Sequence, residues 1–184
     1  MLQRGSHLHG CLVRTLEQKP FTTMTFSSTS EEHLIFDAAR KGDVAYLKQK
    51  IAEGANLRIT DDRGFTPLII ASYDGHLEAA RLLLEAGADP NERDAGGNTA
   101  LMGVSFKGYP EIARLLIDKG ADLNAQNGNG GTALMFATLF GRNELVKLML
   151  EYGADKTVKD VRGLTATDLA HQQGNEEALK LLQE

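Results

Sequence analysis

The residues of this 184-residue chain whose types could do chemistry are five histidines, one cysteine, a glycine-rich run and several acidic pairs. His7 and His9 could chelate a metal weakly, but neither they nor His33, His76 and His171 stand with further ligands at metal-site spacing. No metal centre is expected. Cys11 could serve as a nucleophile only beside a base that lowers its pKa. It stands in an aperiodic stretch, so an inert thiol is expected, and a single cysteine closes no internal disulfide. Gly128-Asn129-Gly130-Gly131 invites a phosphate-loop reading. Such a loop follows a buried strand and opens a helix carrying a lysine and a hydroxyl. No apolar strand precedes this run and no Gly-Lys-Ser/Thr follows it, so Asn127-Gly128 and Asn129-Gly130 read as tight turns. Asp61-Asp62 and Glu176-Glu177 fall on turn and polar-helix sequence, without the apolar surroundings that raise a carboxyl pKa for acid–base work. No catalytic residue and no cofactor is expected.

The elements that would position any site follow from a strict periodicity. Gly42, Gly75, Gly108, Gly141 and Gly174 stand 33 residues apart. Gly54, Gly87, Gly120 and Gly153 keep the same step, as do Gly64, Gly97, Gly130 and Gly163, and as do Thr66, Thr99, Thr132 and Thr165. A fixed step of this length is the mark of stacked repeats. Within one unit, Asp61-Asp62-Arg63-Gly64 is turn sequence. Thr66 is placed to cap a helix and Pro67 suits its first position. A short helix runs over Leu68 to Asp74 and closes at Gly75. His76-Leu77 opens a second helix, with His76 expected to bond to backbone rather than to act as a base. Leu77, Ala80, Leu83 and Leu84 form its apolar stripe, and Gly87 ends it in the left-handed region.

Gly64-Phe65-Thr66-Pro67-Leu68, Gly75-His76 and Leu82-Leu83-Leu84-Glu85-Ala86-Gly87-Ala88-Asp89-Pro90-Asn91 resemble the ankyrin repeat. The resemblance covers about residues 28–184. It implies an all-α solenoid of about five stacked helix-turn-helix units with turn or hairpin fingers at one side. It also implies a concave binding surface made of the fingers and the first helices. The units are 28–60, an N-terminal cap without a finger; 61–93, 94–126 and 127–159, which are full; and 160–184, a short polar C-terminal cap. There are departures from the family pattern. Ala100, Ala133 and Ala166 replace Pro67, and Ile69, Met102, Met135 and Asp168 stand where the family carries a histidine. Gly103-Val104 replaces the usual pair of small residues in the third unit. The Thr-Ala-Leu-Met flavour around Met135 looks like short stand-alone prokaryotic members of the family.

The resemblance implies protein binding without catalysis. The alternatives are an accessory role beside a stress-defence enzyme, or a small-molecule or enzymatic site, which would need a cleft with convergent polar groups and shifted pKa values. The partner-binding residues expected on the concave face are Asp62, Arg63, Phe65, Tyr73 and Asp74 of the second unit. Asn98, Phe106 and Lys107 follow in the third, and Leu139 and Phe140 in the fourth, while Arg93, Gln126 and Lys159 close the fingers. Tyr73, Phe106 and Leu139 share one repeat position with Phe140 adjacent. These side chains either form an exposed hot spot or fold back as partial core.

The formal net charge is -5. Residues 1–27 hold three basic residues against one acidic, and the remainder 17 basic against 24 acidic, or -7. An acidic repeat domain is a poor match for nucleic acid or an anionic membrane. No apolar run reaches the ~20 residues of a membrane span. A monomeric cytoplasmic protein with a protein partner is the expectation. Residues 1–27 read as a tail without independent function, a leader or a targeting segment.

Overall fold

The computed structural model describes the backbone over residues 28–183 and the side chains over residues 33–183. The segment with Cys11, His7 and His9 lies outside the described residues. Among the described residues there are ten helices and no strand. They come in five antiparallel pairs. The first members, the inner helices, are α1 (Ser28–Lys41), α3 (Pro67–Tyr73), α5 (Ala100–Lys107), α7 (Ala133–Leu139) and α9 (Ala166–Gln173). The second members, the outer helices, are α2 (Val44–Ala52), α4 (Leu77–Glu85), α6 (Pro110–Asp118), α8 (Asn143–Glu151) and α10 (Glu176–Gln183). Inner helices pack on inner helices, outer on outer, and each pair on itself. This is the five-unit all-α solenoid that the repeat implies.

Local chemistry explains each pair. The Thr66 hydroxyl accepts the Ile69 N–H at 3.2 Å, and Thr99 and Thr132 cap Met102 and Met135 in the same way. The threonine cap persists where alanine replaces proline. In α9 the Thr165 hydroxyl accepts from the Asp168 N–H, while the Asp168 carboxylate accepts the Thr165 N–H at 2.8 Å. The departure Ile69-to-Asp168 therefore builds a reciprocal cap on the last inner helix. The inner helices lie between neighbours on three sides, and Pro67 through Ser72 are all buried. The outer helices face solvent on one side, so α4 buries Ala79, Ala80, Leu83 and Leu84 and exposes Glu78 and Glu85.

The small residues of the third unit need one correction. In register with Ala71 and Ser72, the stack places Val104 and Ser105, not Gly103 and Val104. Gly103 occupies instead the position of Ile70 and Phe136.

The fingers are five-residue turns. Asp61 Oδ1 accepts the N–H groups of Arg63 and Phe65, both at 2.9 Å, and the Gly64 N–H reaches the Asp61 carbonyl. Asp94, Asn127 and Asp160 repeat the pattern, so Gly128–Gly131 is finger backbone. Adjacent fingers share one backbone bond each. Ala95 N–H donates to Arg63 O, Gly128 N–H to Gly96 O, and Val161 N–H to Asn129 O. Gly64 sits at φ +77, and a Cβ there would lie 2.7 Å from the Ala95 nitrogen, so this turn needs glycine for both reasons. No described helix is long and apolar enough to cross a membrane.

Candidate functional site

The fingers and the inner helices enclose an open concave depression of about 560 Å³ over the second, third and fourth units. Helices α3, α5 and α7 form its floor with Ile69, Ile70, Met102, Gly103 and Phe136. The fingers supply Arg63, Phe65, Asp94, Asn98, Asn127 and Asn129 along one wall. Tyr73, Asp74 and Phe106 stand at the other, where the inner helices end, and Arg40 marks the first unit.

The aromatic row is continuous. The Tyr73 and Phe106 rings are stacked with centroids 6.2 Å apart. Phe106 meets Phe140 edge to face at 4.5 Å, and Phe140 stacks on Phe136 at 6.4 Å. Such offset and T-shaped pairs suit the ring quadrupole. Tyr73 and Phe140 are 41% and 40% exposed, while Phe106, Phe136 and Leu139 are half-buried. The rings therefore brace one another and still present part of their surface. One cation sits on the row, Lys107 Nζ at 4.9 Å from the Tyr73 centroid, and on the finger wall the Arg63 guanidinium lies 4.6 Å from the Phe65 centroid.

The depression gathers some of the residues expected from sequence and not others. Arg63, Phe65, Tyr73, Asp74, Asn98 and Phe106 line it. Lys107 and Phe140 join through Tyr73 and Phe106. Leu139 lies in an adjoining hollow of about 350 Å³ with Met135, Phe136, Val161 and Leu169. Asp62 is exposed but does not line the depression. Arg93 and Gln126 are turned along the stack. Arg93 donates to the Gln126 carbonyl, and Gln126 Nε2 donates to the Lys159 carbonyl at 3.0 Å and to Gly130 O at 2.8 Å. Their side chains tie each unit to the next, and Lys159 supplies the last carbonyl of that column.

The sequence reading missed Arg40, Ile70, Gly103 and Phe136. Ile70, Gly103 and Phe136 stand three residues before Tyr73, Phe106 and Leu139. That spacing shares one helix face, so the signal was available. Gly103 is the unusual member. A glycine inside a helix costs about 1 kcal/mol against alanine. A Cβ there would sit 3.2 Å from Tyr73 Cδ2. The missing side chain leaves a notch beneath Tyr73.

The electrostatic shifts fall on carboxylates of caps and turns. Four carboxylates are held below their ordinary values. Side-chain hydrogen bonds from Lys50 and Gln49 lower Glu53, those from Thr157 lower Asp155, and the backbone N–H groups of Leu164 and Thr165 lower Asp160 and Asp168. A lowered carboxyl is a weaker base, and these four sit on caps and turns. His76 Nε2 is 2.9 Å from the Arg40 carbonyl, the backbone bond expected of it. Arg142, at the same repeat position, donates to the Phe106 carbonyl. Among the described residues no group of three His, Cys, Asp or Glu side chains could hold a metal ion.

A family model of ankyrin repeats (three copies) matches residues 35–127 and 104–184. The human "DNA-binding protein RFXANK" is 39% identical over 90 residues, 48% of this chain and 35% of that protein. A "Putative ankyrin repeat-containing protein" of Treponema pallidum is 46% identical over 57 residues, 30% of this chain and 19% of that one. The Arabidopsis thaliana "Acyl-CoA-binding domain-containing protein 2" is 36% identical over 73 residues, 38% of this chain and 21% of that protein. The chain thus spans about a third or less of the length of these curated relatives. The expected prokaryotic character is not borne out, since human, mouse, zebrafish and plant proteins match beside the bacterial one.

Proposed function

We propose that this chain, which belongs to the ankyrin-repeat family, is a non-enzymatic interaction module that binds a protein partner on its concave face. The observation that carries the reading is the half-exposed aromatic row on the floor and edge of a depression bounded by the fingers. Rigid aromatics in the centre of a patch supply most of the binding energy of protein interfaces. Tyr73, Phe106 and Phe140 act as anchors. Arg63, Asp74, Asn98 and Lys107 form the polar rim that fixes orientation. Asp62 contacts the partner from the finger tip. Leu139 extends the apolar surface toward the last unit. Arg93, Gln126 and Lys159 serve by holding the fingers in register.

A protein partner fits better than nucleic acid. The relative called a DNA-binding protein raises the question for that protein. Here the chain outside residues 1–27 carries a net -7, and phosphate contacts need basic surface. The test is a pull-down with the wild type beside Phe106→Ala/Phe140→Ala. The double variant should lose its partner by about tenfold or more, the scale of an interface hot spot, with the helical circular dichroism signal retained. Unchanged capture would refute the face, and a mobility shift of random-sequence DNA at physiological salt would refute the partner class.

A further inference from the structure

The depression is not uniform, and it has two unusual features. One is the notch at Gly103, where Tyr73 stands nearest the missing Cβ, while Ile70, Met102, Phe106 and Phe136 line the same depression. Its base is helix backbone, and the Gly103 N–H is already bonded to the Thr99 carbonyl. No donor or acceptor is offered there, so what fits is a hydrocarbon group.

The other is the charge on the rim. Arg40 and Arg63 reach the depression from an inner helix and from a finger. Among the described residues, the acid contact of each is a long one within its own segment, 3.4 Å to Asp37 and 3.9 Å to Asp61. A guanidinium has five N–H donors, so most of theirs remain open. Of the two lining acids, Asp94 is committed to its own finger, accepting from Gly96 and Asn98 at 2.8 to 3.1 Å. Asp74 is the lining carboxylate without a partner among the described residues, and it stands one unit from Lys107 in the same repeat column. The two lining cations against one uncommitted lining carboxylate make the depression complementary to an acidic group, on a domain that is acidic elsewhere.

We infer that the occupant is an extended segment of a protein partner that offers an acidic side chain to Arg40 and Arg63 and an aliphatic side chain to the notch over Gly103. This rests on the concave-face reading and specifies its ligand. The Asn129 side-chain amide, which lines the finger wall, supplies a donor and an acceptor for the segment's backbone. Gly103 is thus the specificity-determining position, because any larger residue would push Tyr73 into the space the aliphatic group takes.

The probe is a displayed library of random 12-residue peptides, selected on the full chain, with the consensus peptide then synthesised and its affinity measured. The expected consensus pairs Asp or Glu with Leu, Ile, Val or Met. Truncating that aliphatic residue to Ala should weaken binding to the wild type by about tenfold or more, the scale of apolar-pocket discrimination. Gly103→Ala should weaken the intact peptide similarly while retaining the helical circular dichroism signal of the wild type. Arg40→Glu/Arg63→Glu should lose the peptide, and a Lys-for-acid peptide should recover binding to that variant. A basic or purely polar consensus, indifference to Gly103→Ala and to peptide truncation, or a library yielding no binder overturns the inference. The two readings fail differently. A selected peptide that ignores Phe106→Ala/Phe140→Ala sinks the concave face itself. One that needs those rings but ignores Gly103 and the arginines sinks only the ligand assigned here.

Discussion

At the residue scale, one repeat position shows how much a single hydroxyl depends on its partner. Ser72, Ser105 and Thr138 share a column, and all three are fully buried. The Ser105 hydroxyl donates to the Leu101 carbonyl at 2.6 Å and that of Thr138 to Leu134 at 2.9 Å. The Ser72 hydroxyl has no hydrogen-bond partner among the described residues. A buried unpaired hydroxyl costs about 1–3 kcal/mol, whereas a paired one contributes about 1 kcal/mol. Ser72→Ala should therefore leave stability unchanged or raise it by up to about 1 kcal/mol, and Ser105→Ala should lower it by a similar amount. Urea denaturation of the two variants checks the contrast, and equal losses would show that Ser72 is satisfied after all.

Elements are joined here by side chains reaching one unit along. His76, Arg142 and Asn175 open the outer helices α4, α8 and α10 at one repeat position, and each reaches a carbonyl of the preceding unit. The fingers rest on their leading acid or amide. Asp160 accepts the N–H groups of Arg162 and Leu164 and pairs with the Arg162 guanidinium at 2.7 Å. These contacts hold its carboxyl below the ordinary aspartate value of 3.8, the Leu164 N–H contributing most. A depressed pKa means stability that is present above 3.8 and is lost as pH falls through the lower folded value. Asp168, lowered chiefly by the Thr165 N–H, adds in the same direction. The last unit should therefore loosen first on acidification. Asn127 performs the same turn without a charge. Asp160→Asn should accordingly fold as the wild type at neutral pH and show a shallower fall of melting temperature below pH about 4. An acid limb identical to the wild type would contradict this.

Among the described residues, each unit packs chiefly on its neighbours, so stability is close to a sum of unit and interface terms. Leu47 in the first unit and Leu116 in the third are both fully buried. Either replaced by Ala loses about 2–5 kcal/mol. The consequences should differ. Leu47→Ala should fray the terminal pair α1/α2 and leave the other units folded, so hydrogen exchange quickens there alone. Leu116→Ala breaks the stack at its centre, and protection should fall on both sides. Uniform loss of protection in Leu47→Ala would mean a stack more cooperative than nearest-neighbour packing predicts.

The sequence by itself determined the repeat, because each 33-residue unit carries its own punctuation. Thr66 caps, Gly64 turns and the Leu83–Leu84 stripe act within a few residues, and local chemistry of that kind is legible along a chain. It also pointed to Tyr73 and Phe106 by their shared position. Only the tertiary stack decided which long side chains serve the depression and which serve the scaffold. Arg63 and Arg93 look alike as finger residues, yet Arg63 lies over Phe65 on the concave side while Arg93 ties into the Gln126 carbonyl. Gly103 reads as a weakened helix position until Tyr73 from the neighbouring unit is seen against it. Such roles belong to contacts between units 33 residues apart, and the direction of a side chain across that gap is set by packing rather than by its own sequence neighbours.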